Sequence, residues 1–464
     1  MWLANTTCKP PAQKGVRLSW PKANDKRRAK VALTASPLQR DATTDGSPGA
    51  GNMHIVHVSQ ENLQMHYDFD VKYVSRSARP SLQMPLSWNP FQLDVEDEEL
   101  FRYFLHTASQ SLAIHGYSPM DLGQVLVRMA LMGSVDSSRA VRLSLLAFSS
   151  THRHHVCTQA VELKISALEA LAASSGDQIT TEEAIQHVAA GMLLCSVEIH
   201  HTSCTSGQWI HYIDGVKNVI KVAGLADKAH QYPDLAILLD WVYYHDVLLH
   251  FTRRYWPAIG ESKENAYTAT AIVEAYHTRP AALATMDLLA DVFNAVITQP
   301  SATASAETVE EYKCFVRILD WKIRNIPVTN PTENGGDDTT MTAEVYKLAM
   351  LVYLHQASDD VLGHALRTQR YIDEGFARFA KMSSCSRQFP LFILGCEARS
   401  DAQRSTILDL ISRTEATVYA RSLEQIRILM QAVWAQEELA NEHINYTAKL
   451  SYIFSCCRNV PSFV

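Results

Sequence analysis

The chain has 464 residues, 47% hydrophobic and 20% charged, enough to bury a multilayered core and to make two or three domains. Its apolar runs all fall short of the ~18 residues a membrane helix needs, and polar and charged residues stand where a secretory signal would be apolar, which argues against a membrane span and against secretion. The net charge of −7 excludes a protein built as a whole to coat nucleic acid.

The charge is unevenly spread. Nine basic residues before position 41 face Asp25 alone, which leaves this arm at +8 and the remainder at −15. The nine cysteines (Cys8, Cys157, Cys195, Cys204, Cys314, Cys385, Cys396, Cys456 and Cys457) are odd in number, scattered, and form no C-x2-C pair. That usage fits reduced thiols rather than a disulfide framework.

Residues 1–91 are rich in Pro, Ser, Thr, Asn and Gly and lack sustained periodicity, the composition of a disordered arm. Within it Val16, Leu18 and Trp20 alternate with polar residues, suggesting a short strand, and Lys26, Arg27, Arg28 and Lys30 follow as a basic run. Such a run suits nuclear import or contact with phosphates, and it also suits a solvated tail.

From Asp94 onward the 3.6-residue period takes over. Acidic residues from Asp94 to Glu99 open a helix whose apolar face runs through Phe104 to Leu112 and which Gly116 stops. Ser118 and Pro119 open a second helix, Ser137–Ser149 forms a third, and a fourth starts near His155. Thr180 with Glu183 reads as a capping box for a helix to His200. Helices follow at Trp209–Val222, Leu235–Arg253, Ala269–Tyr276, Ala281–Val296, Glu307–Arg324, Ala343–Gln356, Asp360–Ala380, Ser405–Ala416, Ser422–Leu439 and Tyr446–Cys457, with Pro327–Asp338 as a loop. These segments make an all-α protein of stacked antiparallel helices, with one large domain over residues 92–460.

The segment Gln388–Arg399, QFPLFILGCEAR, organises this body. Leu391, Phe392, Ile393 and Leu394 are apolar on every side, so the helix there must be central. Gly395 and Cys396 are small enough to admit another helix backbone, and Glu397 places a carboxylate in a dry setting that demands a partner.

Catalytic signatures are wanting, and neither a catalytic nor a metal-binding residue is assigned. His152, His154, His155 and Cys157 crowd adjacent positions and read as a solvated helix start rather than converging ligands, as do His200, His201 and Cys204. An isoprenoid synthase would need Asp-rich magnesium clusters, but Met341 breaks the pattern after Asp337 and Asp338, and VLG follows Asp359 and Asp360. Trp241, Tyr243, Tyr244 and His245 suit either core packing or the wall of an effector pocket.

Several stretches together resemble a known family. PLFILGCEAR followed by DAQRSTILDLI and IRILMQAVWAQEEL is similar to the end of the fungal-specific transcription factor domain, the regulatory part of zinc binuclear cluster transcription factors. Leu193, Leu194, Cys195, Glu198, Ile199, Trp209, His211 and Gly215 match an earlier part of it, Asp240, Trp241, Tyr244, His245 and Asp246 another, and LSWP with its basic cluster resembles the segment after the family's last zinc ligand. The resemblance implies a nuclear regulator that receives a coregulator protein, a small-molecule effector or a second copy. It also implies zinc in a six-cysteine cluster. Cys8 is the sole cysteine before Cys157, so this sequence either begins after that cluster or belongs to a relative that lost it, and DNA would be met indirectly. The alternative is a helical scaffold that binds proteins and has no direct role on DNA.

Overall fold

The computed structural model describes residues 95–464 apart from 116, 134–135, 155–156, 177–178, 201–206, 257–283, 302, 327–336, 418–422, 440–444 and 457–460. The basic run, the arm that carries it and the expected helix at Ala269–Tyr276 lie outside the described residues, as do His155, His201 and Cys204. Everything described falls within one compact unit, Ser87–Val464.

Among the described residues the regular structure is helical throughout. The first helices are α1 (Val95–His106), α2 (Pro119–Leu131), α3 (Asp136–His154), α4 (Thr158–Ala173), α5 (Thr181–His200), α6 (Gln208–Val222), α7 (Leu225–Lys228) and α8 (Pro233–Tyr255). Then come α9 (Ala284–Ile297), α10 (Ala306–Arg324), α11 (Asp337–Ala357), α12 (Ala365–Phe379), α13 (Gln388–Cys396), α14 (Asp401–Glu415), α15 (Glu424–Leu439) and α16 (Tyr446–Cys456). Local chemistry sets many of the starts. The Ser118 side chain accepts from the Met120 N–H ahead of Pro119, Thr180 and Glu183 bond reciprocally, and Ser400 with Gln403 closes a capping box on α14.

Several boundaries differ from the sequence reading. α1 ends at His106 instead of running to Leu112, because a 3-10 turn at Ala108–Ser111 turns Leu112 and Ile114 into the core. α3 runs on to His154, so the histidines there close a helix rather than open one. α11 begins at Asp337, which puts Asp337 and Asp338 in a helix and not in a loop. α12 begins at Ala365 because Asp359, Asp360 and Gly363 all have positive φ and the Asp360 carboxylate accepts the His364 N–H at 2.7 Å.

Two apolar cores form. One gathers α1 to α3 with parts of α4, α5, α6 and α8, including Phe104, Leu146, Leu193 and Trp241. The other gathers α9 to α16 around Phe251, Tyr353, Phe389 and Phe392, with Cys195 of α5 and Trp209, Ile210 and Ile213 of α6. α8 serves both: Leu235 to Val242 lie in the first and Tyr243 to Tyr255 in the second. A nearly all-round apolar helix of this length is stable only when enclosed, and α8 is enclosed by α5, α6, α9 and α16.

In the second core α13 is buried along its whole length and packs on α11 and α15. A side chain at Gly395 would run into Met430 and Ile407, and the Trp434 indole donates to the Gly395 carbonyl at 2.8 Å. The small residues at the end of α13 therefore do what the sequence demanded of them.

Glu397 caps this helix at 4% exposure. It meets the Gln356 amide at 3.2 Å rather than an arginine. Desolvation pushes its carboxyl up to about 7, with Glu437 adding to the shift while Lys449, Arg399 and the Gln356 hydrogen bond oppose it. The folded chain thus favours the protonated form. Stability from this group is complete below the ordinary carboxyl value and is lost as pH rises through about 7. The loss is on the order of 3 kcal/mol. Glu397→Gln is expected to stabilise the chain at about pH 8, to change little at about pH 5, and to flatten the slope between them in chemical denaturation. An unchanged slope would show that Glu397 is not the group that titrates.

Candidate functional site

Of the four residues singled out on α8, Trp241, Tyr244 and His245 share one side and Tyr243 stands apart. Helical spacing sends Tyr243 to the side away from the others, where its hydroxyl donates to Asp287 of α9 at 2.8 Å. Trp241 lies in the first core, fully buried, and its indole N–H has no hydrogen-bond partner among the described residues. His245 shares Nδ1 with the Trp241 carbonyl at 2.9 Å and sets its ring edge-on to both Trp241 and Tyr244.

Tyr244 alone reaches a polar constellation, and its partners come from distant parts of the chain. Its hydroxyl lies 3.2 Å from that of Tyr346 on α11 and accepts from Arg387 Nη1 at 3.4 Å. Arg387 Nη2 donates to the Ile114 carbonyl at 2.7 Å, across from the first core. The guanidinium sits 5.7 Å from the Tyr244 ring centroid, and His115 stacks on Tyr244 and meets Tyr346 edge-on.

No carboxylate pairs with Arg387 among the described residues. Burial works against its charge, yet Tyr244, Tyr346 and Cys385 outweigh that and hold the group above its ordinary value. Burial and the neighbouring Tyr244 likewise push the Tyr346 phenol well up. The constellation is a cationic junction lined by phenols. It ties Ile114 to Tyr244, and so one core to the other, and its chemistry suits holding an anion far better than activating a nucleophile.

Sequence reasoning reached Tyr244 and missed His115, Tyr346 and Arg387. The one available signal was Arg387 itself, a lone cation placed directly before an all-apolar helix. The histidine-rich segment makes no centre: His152 bonds the Tyr103 hydroxyl at 2.9 Å and lies 6.1 Å from the His200 ring, and among the described residues no group of three or more His, Cys, Asp or Glu is disposed to hold a metal ion. Asp359 is taken up by Gln299 and Asn445.

If the junction is structural cement, Arg387→Met keeps the stem, strands the Ile114 carbonyl and leaves the Tyr244 hydroxyl with Tyr346 alone. It is expected to cost about 2–4 kcal/mol in urea denaturation, and with Tyr244→Phe to show a coupling of about 0.5–3 kcal/mol. A cost below about 0.5 kcal/mol would make it a surface contact.

Comparison with known proteins adds a family. The chain is 40% identical over 390 residues to "Transcription factor iacI" of Pestalotiopsis fici, covering 82% of this chain and 99% of that protein. No solved structure matches it. Residues 99–458, nearly all of the helical body, match the fungal specific transcription factor domain, and the chain belongs to that family.

Proposed function

We propose that this chain is a nuclear regulator of transcription whose helical body receives a signal and passes it on by shifting between two packings. The observation that carries the reading is the family match from residue 99 to 458, which spans both cores and α8 between them. A transcription factor among its relatives supports it. So does the basic run Lys26, Arg27, Arg28 and Lys30, which suits import. No helix among the described residues is long and apolar enough to cross a membrane.

The body acts without catalysis in this reading. Its receptive point is the junction where Arg387 bridges Tyr244 and Ile114, because an anionic small molecule that displaced either contact would bias how the two cores meet. The donor set does not fit the zinc cluster implied by the family, since one thiolate, Cys8, precedes Cys157 and a binuclear site needs six. We therefore route contact with DNA through a partner or through residues outside this sequence.

Two outcomes check the proposal. A fluorescently tagged chain is expected in the nucleus, and replacing Lys26, Arg27, Arg28 and Lys30 by Ala is expected to spread it into the cytoplasm. In gel shifts the purified chain is expected to bind DNA weakly and without sequence preference, with binding lost as salt rises. Cytoplasmic wild-type protein would favour a scaffold over a regulator, and tight sequence-selective binding would overturn the indirect route.

A further inference from the structure

α10 has two apolar faces, and only one of them is used. Tyr312, Val316, Leu319 and Ile323 are buried against the body. On the opposite side Phe315, Ile318 and Trp321 are 42%, 48% and 59% exposed, with Cys314 exposed beside them. An amphipathic surface helix carries one such stripe, not two. Large apolar side chains at i, i+3 and i+6 form one patch over two helical turns.

The charges around the patch say what covers it. On the same face Glu311 is exposed one turn before the patch and Lys322 at its far end. Lys322 also feels Asp291 of α9, and the neighbouring Glu310 is engaged by Lys313. The face is thus acidic at its N-terminal end, apolar in the middle and basic at its C-terminal end. A helix with that order complements a copy of itself laid antiparallel.

We propose that α10 is a self-association face, on which two copies of this chain pair antiparallel about a two-fold axis near Ile318. That register sets Ile318 against its own copy, Trp321 against Phe315 of the second chain and Lys322 against its Cys314, with Glu311 within a turn of the same lysine. An isologous contact of this kind closes on itself and stops at two chains. The other exposed apolar stripe, Val161, Ile165 and Leu168 on α4, is flanked by Glu162 and Glu169 and so carries one sign of charge. It does not complement itself.

One helix pair buries less than the ~800 Å² per partner of a standard interface, so the dimer is weak and reversible, with a Kd of roughly 1–100 μM. Sedimentation velocity on the full 464-residue chain is expected to show a monomer–dimer equilibrium in that range. Ile318→Asp is expected to abolish it. Glu311→Lys alone and Lys322→Glu alone are each expected to weaken it about tenfold, since each change acts twice in a symmetric dimer. The double reversal is expected to restore it, because the swapped ends again face one another. All of these positions are exposed, and unchanged far-UV circular dichroism will confirm that the variants fold.

A chain that stays monomeric at about 100 μM would overturn the proposal. So would a dimer indifferent to Ile318→Asp, which must use another face. A double reversal no better than the single changes would refute the antiparallel register.

Discussion

The structure turns on how Phe251 is enclosed. Its ring meets those of Tyr255, Phe293, Tyr353, Phe389, Phe392, Phe454 and Phe463 at centroid distances of 4.9–6.3 Å, mostly edge to face. Those rings come from α8, α9, α11, α13, α16 and the C-terminal residues, so one side chain joins α8 to four of the eight helices α9–α16 and to the end of the chain. Edge-to-face pairs are worth about 0.5–1.5 kcal/mol each beyond the area they bury. The last residues share in this: Phe463 and Val464 are fully buried, and Thr252 donates to the Pro461 carbonyl at 2.9 Å.

Because Phe251 is on α8, the second core is fixed to the helix that also closes the first. Polar groups then decide the register in which elements meet. Asp320 of α10 accepts from His355 of α11 at 3.0 Å and from Arg324 at 2.9 Å, while the other nitrogen of His355 is paired to Thr368 of α12. Burial alone would raise the Asp320 carboxyl, but His355 and Arg324 hold it below its ordinary value. Lys217 of α6 meets buried Asp246 of α8 at 2.8 Å. Such pairs add little net stability over apolar packing, and they penalise any slipped arrangement that breaks them.

The helices were legible because their periodicity is strong, and the central place of Gln388–Arg399 was legible because a helix apolar on every side has nowhere else to go. What escaped were features set by backbone conformation or by distant contacts. Asp359 and Asp360 look like ordinary helix starters until their left-handed φ is seen, and nothing in the run from Ala108 to Leu112 announces its 3-10 turn. The junction brings together residues 143 and 273 positions apart, which no local spacing encodes. The divergence of Tyr243 from Tyr244 was readable, since adjacent residues on a helix cannot face the same way. The basic run lies outside the described residues, and its role rests on composition.

The central claim is that α8 makes the two cores one cooperative body. Native-state hydrogen exchange on Leu146→Ala tests it most directly, because Leu146 is fully buried in the first core and belongs to α3, far along the chain from α13. The lost side chain removes about 3 kcal/mol, or roughly a hundredfold in protection. Cooperativity requires that the amides of Gln388–Cys396 lose protection by the same factor as those of α3. A loss confined to the first core, with α13 as protected as before, would contradict the account.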